Sequence, residues 1–148
     1  MKQPSAAPFR ILIADDDTDD VQLTRDCFYE NKLPIHVNEV CDGQYLMDYL
    51  NAIIKVPETK NLPQLILLDL NMPRKSGLEV LKELKEDTVL CRIPVVIFST
   101  SKAPKDIEKA YELGASCFVN KPNTLEEWCD KMGTLGRFWI ECVKVAVH

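Results

Sequence analysis

The sequence predicts an α/β protein with a central five-stranded parallel sheet between two layers of helices. Three observations predict it. Five short apolar runs alternate with five stretches of helical periodicity. The runs at 9–14 and 94–98 show no polar alternation, as strands covered on both faces require. The 148 residues suit one compact core, and no repeat or low-complexity stretch interrupts the alternation.

In chain order, strands are expected at 9–14, 35–40 (the weakest run), 65–68, 94–98 and 117–119. Helices are expected at 18–31, 43–55, 76–87, 104–113 and from 124 onward. Asp17 or Thr18, Ser76 and Thr124 stand where a side-chain oxygen can accept from the exposed N–H groups of a first helical turn. Residues 56–63 (VPETKNLP) predict a flexible loop. The last helix has the clearest face: Leu125, Trp128, Cys129, Met132, Leu135, Gly136, Trp139 and Val143 recur every three or four residues. Its Gly133 and Gly136 each cost roughly 1 kcal/mol against Ala in a helix interior.

A hydrophobic share of 46% and a charged share of 28% are those of a chain able to build a core. A formal charge of -5 without a Lys/Arg run argues against a nucleic-acid partner and a membrane-binding basic helix. The first apolar run ends at once in acids, so neither a signal-peptide core nor a membrane span is expected, and the predicted location is the cytoplasm. Six scattered cysteines without a Cys-x-x-Cys pair read as reduced, mostly buried thiols, with no zinc site and no disulfide framework. His36 and His148 lack metal-ligand spacing and read as strand or surface residues. The predicted unit runs from 9 to 143, with tails at 1–8 and 144–148.

In open α/β sheets, ligands bind beyond the carboxyl ends of the strands. Here those positions hold Asp15-Asp16-Asp17, Asp69-Leu70-Asn71, Ser99-Thr100 and Lys121-Pro122. Two unit negative charges about 4 Å apart repel by roughly 1 kcal/mol in water and about 4 at an effective dielectric of 20, so three carboxylates need a compensating charge. A hard divalent cation, Mg²⁺ or Mn²⁺, supplies it while leaving a carboxylate nucleophilic. Asp19 and Asp20 read as solvated residues favoured by the helix dipole, outside the site.

At these positions the chain resembles the response-regulator receiver family. The resemblance rests on an acidic pair after strand one, Asp-x-Asn-Met-Pro after strand three, Ser-Thr after strand four and Lys-Pro after strand five, and it spans about residues 9 to 143. It implies a doubly wound, flavodoxin-like receiver fold with strand order 2-1-3-4-5. It also implies that Asp69 is the phosphoacceptor, that Asp15, Asp16, Asp69 and the Asn71 carbonyl hold the metal, and that Ser99 and Lys121 contact the phosphoryl group. Phe118 matches the switch aromatic, whose rotamer follows phosphorylation through Ser99. Asp17 and Thr100 occupy variable neighbouring positions. By the same resemblance the Lys121–Pro122 bond is expected to be cis.

The implied mechanism is attack by the Asp69 carboxylate on the phosphorus of a phosphohistidine, with Mg²⁺ and Lys121 neutralising charge on the equatorial oxygens. The protein would then be a signalling phosphoacceptor rather than an enzyme, with a histidine kinase as partner. The insert at 56–64 and the Phe138-Trp139 pair are similar to the small response regulators that pair with phytochrome kinases.

Two other classes fit the residues poorly, and a third differs only in chemistry. An aspartate-nucleophile phosphohydrolase needs a second Asp where Asn71 stands. A flavin module needs a phosphate-cradling loop where this chain has five acids in the six positions 15–20. A receiver acting only as a docking module differs in chemistry alone. Finally, Phe138, Trp139, Ile140, Val143, Val145, Ala146 and Val147 fall within ten residues. One helical face buries only about half of them, which predicts an apolar patch and a homodimer through helix four, strand five and helix five, with the tail contributing.

Overall fold

The computed structural model describes residues 7–56 and 61–146. Strands β1 (Phe9–Ala14), β2 (Ile35–Val40), β3 (Leu65–Leu68), β4 (Val95–Ser99) and β5 (Cys117–Asn120) alternate with helices α1 (Thr18–Glu30), α2 (Gly43–Ile54), α3 (Gly77–Glu86), α4 (Pro104–Glu112) and α5 (Leu125–Arg137). All strand pairs are parallel and the order is β2-β1-β3-β4-β5, as expected. Residues 57–60 of the expected loop, together with Val147 and His148, lie outside the described residues.

The two-residue period of the strands divides the core. Leu12, Ala14, Ile66, Leu68, Val95 and Ile97 face one way and pack with Leu46, Leu50, Val80, Leu81 and Leu84 of α2 and α3. Ile11, Ile13, Leu65, Leu67, Val96 and Phe98 face the other way, against Val21, Phe28, Trp128 and Met132 of α1 and α5. The continuous apolar runs are therefore the signature of a sheet covered on both sides.

The expected caps form. The Asp17 carboxylate accepts from the N–H groups of Asp19 and Asp20, and Thr124 accepts from Glu127 N–H. Ser76 and Glu79 form a reciprocal capping box at α3. β4 begins at Val95, because Pro94 has no N–H to donate. A short 3₁₀ turn (Leu90–Arg92) precedes it. The last helix is not one continuous α-helix: after Arg137 it widens into a π-helical turn, Phe138–Cys142.

Between α1 and α5 the structure departs from the sequence reading. Cys27 and Cys129 form a disulfide, with Cα atoms 4.7 Å apart. Separated by 102 positions, the two have no local spacing signal; only the packing of two helices on one sheet face brings them together. The expectation of reduced, buried thiols therefore fails for Cys27 and Cys129, which are bridged; Cys41, Cys91, Cys117 and Cys142 are free as expected, but the first and last are exposed and the other two half-buried. The glycine at 133 is what permits this closeness: a Cβ there would lie 2.5 Å from Asn31 Oδ1. The Asn31 amide in turn donates to Cys27 O at 2.7 Å and to Cys129 O at 3.0 Å.

Candidate functional site

The parallel register brings the ends of β1, β3, β4 and β5 to one edge. Asp15 and Asp69 directly follow β1 and β3; their N–H groups donate to Val40 O and Ala14 O, continuing the ladder and fixing both side chains at the edge. Behind Asp69, Gly77 opens α3. A Cβ there would collide with the Asp69 carbonyl and stand 2.7 Å from Leu70 Cα, so only glycine lets α3 pack directly under the acidic segment.

Lys121 follows β5, and its side chain is only 5% exposed. Its ammonium donates to Asp15 Oδ2 at 2.8 Å, Asp20 Oδ2 at 2.8 Å and Asp69 Oδ2 at 3.4 Å. Burial pushes the Asp15 carboxyl up to about 6, helped by the nearby Asp69 charge and opposed by Lys121 and the Asp17 N–H. Burial alone would lower Lys121, but hydrogen bonds to Asp15 and Asp20 and the charges of Asp15 and Asp69 outweigh it and hold the ammonium above its ordinary value.

Asp20 is the residue that sequence reasoning missed. Its place in the first turn of α1 satisfied a helix-dipole explanation, yet it also extends the buried stripe of Thr24 and Cys27 backwards by one turn. That periodicity was the available signal. Asp19 is exposed, as expected.

Asp15, Asp16 and Asp69 each place one carboxylate oxygen within 4.8 Å of the other two. An all-oxygen set of this kind fits a hard divalent cation. Asn71 is exposed, and its N–H approaches Asp69 Oδ1 at 3.5 Å. Ser99 is fully buried, and its Oγ accepts from Ser101 N–H at 3.1 Å, whereas Thr100 is exposed. Phe118 is half-buried against the α2/α3 side of the core, and its N–H donates to the Tyr111 hydroxyl at 3.0 Å. The Lys121–Pro122 bond is trans, against the expectation. Lys121 reaches all three carboxylates from the trans form, which X–Pro bonds favour by about 0.5–1 kcal/mol.

A parallel 2-1-3-4-5 sheet carrying buried acids and one lysine at its carboxyl edge defines a class, the receiver of two-component signalling. The family model for the response regulator receiver domain matches residues 11–132, and the chain belongs to that family. It is 34% identical over 143 residues to response regulator Rcp1 of Synechocystis sp., covering 97% of both chains. The crystal structure of the phosphorylated cyanobacterial phytochrome response regulator RcpA superposes with a TM-score of 0.84 at 35% identity, over 95% of this chain and 99% of that one. The Mn²⁺-bound form of Rcp1 superposes with a TM-score of 0.83 at 32% identity, over 95% and 100%.

Proposed function

We propose that this two-component response regulator takes a phosphoryl group onto Asp69 from the phosphohistidine of a kinase. The observation that carries the reading is the convergence of Lys121 on Asp15, Asp20 and Asp69 in a buried pocket at the sheet edge. The Asp69 carboxylate attacks phosphorus, an O–P bond forms, the P–N bond breaks, and its electron pair leaves with the imidazole. Lys121 supplies positive charge beside the phosphoryl oxygens, and the buried Ser99 hydroxyl donates to one of them. Asp15, Asp16, Asp69 and the Asn71 carbonyl are the proposed holders of Mg²⁺ or Mn²⁺, which when bound neutralises phosphoryl charge. The Mn²⁺-bound Rcp1 structure supports that choice. Movement of Ser99 toward the phosphoryl group would free space for Phe118 to turn, converting a charge event into a change of surface.

The phytochrome-linked relative RcpA supports a phytochrome as the partner kinase. Because the donor is an ATP-using kinase, we read the location as cytoplasmic. The receiver unit is taken as 9–143, its output as a homodimer surface, and its partners as excluding nucleic acid and membrane, in keeping with the charge of -5. No described helix is long and apolar enough to cross a bilayer.

Intact-mass measurement with a small phosphodonor and Mg²⁺ tests the chemistry. One phosphoryl group is expected on the wild type and none on Asp69→Asn. A wild type that stays unmodified leaves the docking-only reading, and a modified Asp69→Asn moves the acceptor elsewhere.

A further inference from the structure

β5 ends in Asn120, directly opposite Ser99 in the β4–β5 register. The Asn120 side-chain amide donates to Ser99 O at 3.2 Å and to Ser101 O at 2.6 Å. Both partners are carbonyls, so only the NH₂ end of the amide can make these bonds. The strand ladder does not need them, since Lys121 N–H already donates to Ser99 O at 2.9 Å. The bond to Ser101 O reaches past the end of β4 into the turn that leads to α4.

Ser101 ties that turn on both sides. Ser101 N–H donates to Ser99 Oγ at 3.1 Å, and Ser101 Oγ donates to Asp106 Oδ2 at 2.6 Å, at the start of α4. From the other side, Lys131 of α5 donates to Asn120 O at 3.1 Å, holding the amide's own backbone. With Ser101 N–H occupying a lone pair of Ser99 Oγ, the Ser99 hydroxyl proton is left to donate, and the position of Ser101 sets its direction.

We propose that Asn120 is a positioning residue for phosphoryl transfer: its amide fixes the turn after β4 so that the Ser99 hydroxyl points at the phosphoryl group carried by Asp69. The proposal rests on the phosphoacceptor reading above. The Asn120 amide bonds the carbonyls of Ser99 and Ser101 and none of the pocket carboxylates, so its effect on the chemistry would run through Ser99, which separates it from a residue that merely stabilises the fold.

A double-mutant cycle tests this, with phosphorylation rates measured at saturating phosphodonor and Mg²⁺, and Mg²⁺ affinity measured by calorimetry. Asn120→Ala is expected to slow phosphorylation by about fivefold or more, the loss of at least one hydrogen bond. In a Ser99→Ala background the same change is expected to slow it less than about twofold, because the coupled partner is gone. Mg²⁺ affinity is expected to stay within about twofold, since no metal ligand is touched. Asn120→Gln, which keeps the amide on a longer arm, is expected to recover part of the rate. If Asn120→Ala does not fold, Asn120→Ser reads the same cycle. Equal losses in both backgrounds, or an unchanged rate in the first, overturn the proposal while leaving the phosphoacceptor reading intact. A wild type that accepts no phosphoryl group overturns both.

Discussion

Lys121 is the counter-ion of the acidic pocket, and its replacement exposes what it balances. Lys121→Met leaves Asp15, Asp20 and Asp69 without their ammonium in a pocket where Asp15 is 5% and Asp69 7% exposed. Breaking a buried ion pair by removing one partner costs about 3–5 kcal/mol, so metal-free Lys121→Met is expected to unfold at clearly lower urea than the wild type. Mg²⁺ should restore much of that loss by binding only the native pocket. Coincident urea curves for the two proteins without metal would remove the counter-ion role. A second residue-scale outcome concerns thiols. Burial pushes the Cys117 thiol above its ordinary value, which lowers its thiolate fraction at neutral pH. Cys117 should therefore be alkylated by iodoacetamide more slowly than the exposed Cys41 and Cys142, and should gain reactivity as pH rises. Peptide mapping that finds Cys117 modified first would contradict this. Much of the pocket was legible because parallel strands deliver their carboxyl-end residues to one edge whatever their distance in sequence. Asp15, Asp16, Asp69, Ser99 and Lys121 all come to that edge. Asp20 was not legible by that rule, since it enters from a helix side, where two explanations compete for one acid.

At the scale of elements, the central β-runs were readable because a sheet covered on both faces leaves no place for polar side chains, whereas the edge strand β2, with exposed His36, Asn38 and Glu39, gave the weakest run. β3 (LILL) and β4 (VVIFS) are buried at every position. The π-helical turn after α5 was not readable, because the apolar spacing that marks a helical face continues through it to Val143. Nor was the α1–α5 disulfide, which depends on where two helices lie rather than on any spacing. That bridge carries its own prediction. It closes a loop of 102 residues, for which the chain-entropy model gives about 4.7 kcal/mol, with measured disulfides typically delivering about 2–4. Cys27→Ser, or the wild type in reductant, should lose stability by about 2–4 kcal/mol in urea unfolding. The remaining α1–α5 packing, with Trp128 donating to Thr24 Oγ1 at 3.0 Å and standing edge-on to Phe98 at 5.2 Å, should keep both forms folded. Six free thiols titrated in the oxidised protein would exclude the bridge.

At the scale of the molecule, the remaining question is what the phosphorylation switch moves, and the apolar surface at the end of the chain bears on it. Phe138 is 47% exposed, and Trp139, Ile140, Val143 and Val145 are only half-buried. Beside them runs a groove of about 630 Å³, whose walls include Cys117 and Val119 of the edge strand β5 and Leu135, Phe138 and Trp139 of the last helix. An acidic protein that leaves an aromatic pair and an edge strand open on one face gains by covering them, and a two-fold axis does so with the same patch on both subunits. Fold-back of the tail over its own domain would cover the patch without a partner, but the described part of the tail leaves Phe138 open. Cys117 and Val119 line the groove while Phe118 between them faces the α2/α3 side, so a turn of Phe118 would reach this face only through the β5 backbone they share. We therefore expect sedimentation at micromolar concentration to show a dimer, and Phe138→Glu to return it to monomer without loss of phosphorylation. The dimer fraction should respond to a small phosphodonor. A strict monomer with and without phosphodonor would refute the dimer and leave the groove to another partner.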